Sequence, residues 1–152
     1  MKVSDILRVK GNTLYTIAPD EPLSKALDIM SDKDIGSLVV MDRGQLTGML
    51  TFREVIQQVV KNGGSVGQSL VRSTINSAPL ICNMDTELDE LRRMMLEQHA
   101  RYMPVMDGKM LMGVISLYDV AKAVVDAQDF ENKMLKAYIR DWPEEATPAA
   151  RP

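Results

Sequence analysis

Gly113-Val114-Ile115-Ser116-Leu117-Tyr118-Asp119 reads as a strand that ends in a hydroxyl and turns directly into a helix. Apolar residues after a glycine suit a buried strand, and Ser116 followed three positions later by Asp119 marks a helix start. The first turn of such a helix presents unpaired N–H groups and the positive end of the macrodipole, so it offers a place for an anion. The Asp119 carboxylate, one turn in, has two oxygens that can accept both hydroxyls of a ribose cis-diol.

The same pattern stands 65 positions earlier as Gly48-Met49-Leu50-Thr51-Phe52-Arg53-Glu54. Displacing the chain by that amount aligns it with itself, without a gap, from Thr16 to Val60. The identities are Asp20/Asp85, Leu23/Leu88, Met30/Met95, Val40/Val105, Met41/Met106, Asp42/Asp107, Gly48/Gly113, Val55/Val120, Val59/Val124 and Val60/Val125. Other aligned pairs such as Leu46/Leu111 and Leu50/Ile115 keep their apolar character, so the buried faces repeat as well as the letters. A fixed internal period of this length is the mark of two copies of one supersecondary unit. One copy alone buries too little surface, so the two are expected to share a core.

Within a copy the local signals spell β-α-β-β-α. Leu14 to Ile17 leans to strand, and Pro19-Asp20-Glu21-Pro22 stops it and opens a helix. Leu23, Ala26, Leu27 and Met30 then fall on one helical face. Leu38–Met41 and Leu46–Leu50 are strand-length apolar runs joined by the turn residues Asp42-Arg43-Gly44. A helix follows from about Thr51 to Lys61, and Asn62-Gly63-Gly64 ends it. Ahead of the first copy, Val3 to Leu7 suggest one short helical turn capped by Ser4 and broken at Gly11-Asn12.

The second copy runs on from Ser116 to Arg140 without Gly or Pro. Val120, Val124, Ala127, Phe130 or Glu131, Met134 and Tyr138 keep a helical stripe, which can cover the chain's own core or meet a second subunit. These features predict an α/β fold: two β-α-β-β-α repeats related by a pseudo-twofold, plus a C-terminal helix. The expected divisions are residues 1–62 and 66–127 for the repeats, 128–141 for a helical extension, and 142–152 for a disordered tail.

Composition narrows the function. At 152 residues, 45% hydrophobic and 26% charged, the chain has the balance of an ordinary globular domain. A net charge of -3 with scattered Lys and Arg gives no basic surface, so nucleic acid is not an expected partner. No apolar run approaches the roughly 18 residues that span a membrane, and the charged start does not read as a signal peptide, so a soluble, cytoplasmic protein is expected. Cys82 is the only cysteine, which forbids an internal disulfide and fits a reducing compartment; it is expected to be buried and inert. The 12 methionines read as adaptable core. His99 is the only histidine, so a metal-ligand cluster has no basis, and nucleophilic catalysis by Ser116 or Cys82 would depend on that single imidazole. An enzyme is therefore not expected. His99 is placed instead at the end of its helix, with a phosphate contact as the alternative.

Both Thr51-x-x-Glu54 and Ser116-x-x-Asp119 also fit a capping box, in which the carboxylate reaches back to its own cap N–H. The box favours Glu or Gln, and Asp is one methylene shorter. Asp119 is accordingly expected to be the freer of the two carboxylates for a ligand.

The repeated unit, the Gly-x-x-Ser/Thr-x-x-Asp turn, and the Tyr102-Met103-Pro104-Val105 strand preceded by His99 and Arg101 resemble a tandem pair of cystathionine β-synthase (CBS) domains, over about residues 1 to 127. The resemblance implies a stand-alone regulatory module that binds an adenosine-containing ligand, such as AMP, ATP or NAD, in clefts between its repeats, commonly as a flat dimer. No obligatory cofactor is implied. It assigns the ribose hydroxyls to Asp119 and, less well, to Glu54, and ribose or phosphate to Ser116 and Thr51, with Ile115 beside Ser116. Base or phosphate contacts fall to Arg101 and Tyr102 and, at the same places in the first repeat, to Gly36 and Ser37; Arg53 is a further phosphate candidate. The chain departs from the family pattern at Glu54, where Asp is usual, and at Val39, where the second repeat has Pro104. Lacking an effector domain, such a module would be read by a partner protein. The competing expectation is a constitutive interaction module with empty clefts.

Overall fold

The computed structural model describes residues 1–11 and 13–140. Asn12, residue 141 and the expected disordered tail lie outside the described residues. The first repeat holds β1 (Thr16–Ile17), α2 (Leu23–Lys33), β2 (Ser37–Asp42), β3 (Gln45–Thr51) and α3 (Phe52–Lys61), after an N-terminal helix α1 (Val3–Lys10). A 3₁₀ turn (Val71–Ser73) leads to α4 (Leu88–Glu97), β4 (Tyr102–Asp107), β5 (Met110–Ser116) and α5 (Leu117–Arg140). Among the described residues no helix is long and apolar enough to cross a membrane.

The expected hairpins form in both copies. β2 pairs antiparallel with β3, and β4 with β5. The first turn places Arg43 and Gly44 at φ 52° and 79°, the left-handed pair that a two-residue hairpin needs. Each hairpin also shifts register at an equivalent point, after Val40 and after Val105, with Gly48 and Gly113 opposite. The expected β-α-β-β-α order is kept, with one reduction. In the first copy β1 runs parallel to β2, and the Val39 N–H donates to the Tyr15 carbonyl at 3.1 Å. The equivalent of Val39 is Pro104, which has no N–H to give. The second copy's opening strand therefore shrinks to a single parallel bridge between Cys82 and Val105.

Two corrections concern the N-terminus. The expected short turn over Val3–Leu7 is a helix of 8 residues, and its cap position is Lys2 rather than Ser4, with the Lys2 N–H donating to Asp5 Oδ2 at 2.9 Å. The helix also leaves its own repeat. Val3, Ile6 and Leu7 are buried with Cys82, Leu91, Met95, Met103, Val105 and Ile115, which is the core of the second copy. Val71, from the 3₁₀ turn ahead of the second copy, is buried with Ile17, Leu23, Leu38, Val40 and Leu50, the core of the first. The two cores thus exchange their leading segments.

The C-terminal helix forms as expected but packs over only its first turns. Val120 is buried and Val124 packs against the second core, whereas Phe130, Met134 and Leu135 are each more than half exposed. The stripe beyond Ala127 does not cover the chain's own core.

Cys82 is buried, and burial pushes its thiol up to about 12. Desolvation of the thiolate is the cause, so the group is a small hydrophobe here. Met30, Met49, Met95, Met103 and Met106 likewise lie in the interior.

Candidate functional site

The two hydroxyl-and-carboxylate turns sit where a strand delivers its last residue to a helix N-terminus. Thr51 caps α3: its Oγ1 accepts the Arg53 N–H at 3.3 Å, and Glu54 Oε2 accepts the Thr51 N–H at 3.1 Å and the Thr51 hydroxyl. Ser116 opens α5 in the same way, with the Asp119 N–H donating to Ser116 Oγ at 3.1 Å and the Ser116 N–H donating to Asp119 Oδ2 at 2.8 Å. Both boxes are closed. The expectation that Asp119 would be the freer carboxylate is corrected, because the short Asp side chain reaches its cap N–H after all.

Asp119 is also engaged from outside its own repeat. Lys10, the last residue of α1, places Nζ at 2.6 Å from Asp119 Oδ2 and at 2.7 Å from the Val114 carbonyl. Nothing in the sequence near residue 119 signals this lysine, since the pair is 109 positions apart. Among the described residues no comparable cation reaches Glu54. At the equivalent place on the other side, Asn76 exchanges backbone hydrogen bonds with Met49 at 2.9 and 3.0 Å.

Each turn opens onto a cleft whose other wall comes from the opposite repeat. The first cleft, about 830 Å³, takes Ser116, Leu117, Tyr118 and Ala121 from the start of α5, and Asp34, Ile35, Gly36 and Ser37 from the approach to β2, with Lys10 and Tyr15 at its sides. The second, about 620 Å³, takes Thr51, Phe52, Arg53, Glu54 and Ile56 from the start of α3, and His99, Ala100, Arg101 and Tyr102 from the approach to β4. Ser116, Leu117, Tyr118, Ala121 and Asp34–Ser37 correspond to Thr51, Phe52, Arg53, Ile56 and His99–Tyr102 at the 65-position offset, and both volumes lie in the range of small-molecule sites. Asp34 and His99, an equivalent pair, even share the same left-handed φ of 53°.

Arg101 and Tyr102 border both clefts. The Tyr102 hydroxyl lies over Gly36, where a Cβ would collide with it and stand 3.2 Å from the Phe52 ring. Glycine at 36 is what lets this ring divide the two spaces. Arg53 reaches across the second cleft and donates from its guanidinium to the His99 carbonyl, joining α3 to the loop before β4. His99 follows the C-cap residue Gln98 of α4 and lines this cleft.

The residues singled out from the sequence therefore divide. Ser116, Gly36 and Ser37 line the first cleft; Thr51, Arg53 and Glu54 line the second; Arg101 and Tyr102 serve both. Asp119 stands behind Lys10 and does not itself line the first cleft, and Ile115 is wholly buried in the second core, lining neither. Lys10, Tyr15 and Asp34 were not anticipated. Among the described residues no group of three or more His, Cys, Asp or Glu stands together as a metal site would require.

Residues 3–61 and 71–126 each match the CBS domain family. The chain is 27% identical over 147 residues to the CBS domain-containing protein CBSX3, mitochondrial, of Arabidopsis thaliana, covering 91% of this chain and 71% of that protein. It is 30% identical to a putative signal-transduction protein with CBS domains from Burkholderia ambifaria, whose solved structure superposes with a TM-score of 0.78 over 84% of this chain and 96% of that one. The fold also matches CBSX2 in complex with AMP, at 22% identity and a TM-score of 0.69, over 84% of this chain and 98% of that one. The chain belongs to the CBS domain family, as a tandem pair in which each copy completes the other's core and cleft.

Proposed function

We propose that the chain is a regulatory sensor that binds an adenosine-containing ligand, AMP, ATP, NAD or a similar compound, in the clefts between its two repeats. The observation that carries this reading is the crossed construction of each cleft, in which a helix N-terminus with its hydroxyl comes from one repeat and the facing loop from the other. A ligand held there touches both repeats at once, so its binding energy depends on their relative disposition. In this reading Ser116, Gly36, Ser37, Arg101 and Tyr102, backed by Asp119 and the Ile115 backbone, hold ligand in one cleft. Thr51, Arg53 and Glu54, with Arg101 and Tyr102, hold it in the other. That CBSX2, of the same fold, was solved with AMP lends support to the ligand class.

The ligand acts as a signal rather than a cofactor, the chain itself catalyses nothing, and a partner protein in a reducing cytoplasm reads the change. A homodimer belongs to the same reading, supported by the exposed apolar residues Phe130, Met134 and Leu135 on α5. Those residues equally favour a second reading, a constitutive interaction module with no ligand. A thermal-shift panel of AMP, ADP, ATP, NAD and S-adenosylmethionine separates the two: stabilisation that grows with concentration supports the sensor, and no stabilisation by any of them leaves the interaction module.

A further inference from the structure

Lys10 is a lysine on the helix exchanged between repeats, and it lines the first cleft. Its side chain is 35% exposed, and its ammonium is held by Asp119 Oδ2 and the Val114 carbonyl. The charged neighbours lining the same space are Asp34 and Arg101. A cis-diol that uses both oxygens of Asp119 has to displace this ammonium from Oδ2, which also accepts the Ser116 N–H. The displaced ammonium loses a charge-assisted contact at 2.6 Å. The ligand itself can supply the missing anion if it carries phosphate, which would lie at the N-terminus of α5 beside Ser116.

We propose that Lys10 is the residue that makes the Ser116 cleft selective for phosphorylated nucleosides, exchanging its Asp119 partner for the ligand's phosphate. The inference rests on the proposed nucleotide reading of the clefts. It applies to one cleft only, because among the described residues Glu54 is held by Thr51 and no lysine lines its cleft. A nucleoside without phosphate breaks the Lys10–Asp119 pair and returns nothing for it, whereas a nucleoside monophosphate restores a charge-assisted contact. The selectivity expected from one such contact is about tenfold.

Titration calorimetry with AMP and with adenosine tests this on the full chain, on Lys10→Gln, and on Ala121→Trp, whose indole would fill the first cleft from an exposed position on α5. In the unaltered chain, the binding that Ala121→Trp removes should favour AMP over adenosine by about tenfold or more. Lys10→Gln should shrink that ratio at least severalfold, by weakening AMP and easing adenosine, while the remaining cleft keeps its affinity. An unchanged ratio in Lys10→Gln overturns the role of Lys10 while leaving the nucleotide reading in place. Binding that Ala121→Trp does not touch overturns it too, since the ligand then occupies the other cleft. If neither compound binds the unaltered chain, the parent reading falls, and this one with it.

Discussion

Val3 and Val71 hold matching places in opposite repeats. The Val3 N–H donates to the Thr86 carbonyl and the Val71 N–H to the Glu21 carbonyl, both at 2.9 Å, and both side chains are wholly buried. Thr86 and Glu21 are themselves 65 positions apart, so each leading segment is stitched to the entrance of the other copy's first long helix. The exchange makes the two copies one cooperative unit in which neither core is complete alone.

Val3→Ala and Val71→Ala should therefore each cost roughly 2 kcal/mol, the loss of two buried methyl groups with their cavity. Urea unfolding reads this directly. A cost below about 0.5 kcal/mol for Val3→Ala, within the range of an ordinary surface change, would mean that α1 is not part of the second core.

The two equivalent glycines opposite the register shifts should tolerate a methyl unequally. A Cβ on Gly48 would stand 2.5 Å from the Asn76 carbonyl oxygen, which is backbone; on Gly113 it would stand 2.9 Å from Leu7 Cδ2, the end of a flexible side chain. Gly48→Ala is expected to destabilise by roughly 1–3 kcal/mol and Gly113→Ala by less, because a leucine can change rotamer and a bridged strand cannot shift. Chemical denaturation of both variants would expose an inverted order.

Removing the cap carboxylates should distinguish the two turns. Glu54→Ala loses a capping partner, worth about 1 kcal/mol. Asp119→Ala loses the same and also the ion pair with Lys10, which keeps only the Val114 carbonyl, so up to about 1 kcal/mol more is expected. In a Lys10→Gln background the excess for Asp119→Ala should vanish, and a double-mutant cycle by thermal or urea unfolding measures it.

Burial of Cys82 predicts a dependence on alkaline pH. Its thiol is raised from 9.0 to about 12 by desolvation. Above pH 9 the unfolded chain releases this proton while the folded chain keeps it, so unfolding gains and stability falls, by at most about 1.4 kcal/mol per pH unit. The contribution is full below pH 9 and is lost progressively toward pH 12. Labelling by a thiol reagent should stay slow in the folded protein at pH 9 and become fast in denaturant; equally fast labelling in both states would show an accessible thiolate.

The repeat, the hairpins and the paired helix starts were legible because they rest on local chemistry. Gly48 and Gly113, the Asp42-Arg43-Gly44 turn, and the apolar spacing from Leu23 to Met30 each specify backbone within a few residues. The reduction of the second copy's opening strand to one bridge departs from the expected β-α-β-β-α pattern, and its cause is one letter: in place of Val39 stands Pro104, which has no N–H for a ladder bond.

Tertiary structure alone decided which core α1 completes and which of the two cap carboxylates a lysine engages. That α1 packs into the second core, that Ser116 shares a cleft with Gly36 and Ser37 of the other repeat, and that Lys10 reaches Asp119 are contacts between residues dozens to more than a hundred positions apart. In a pseudo-symmetric chain either copy could pair with its own segment or its twin's, and the pattern of letters is the same for both. Burial and loop length choose between them, and those quantities exist only in the folded molecule.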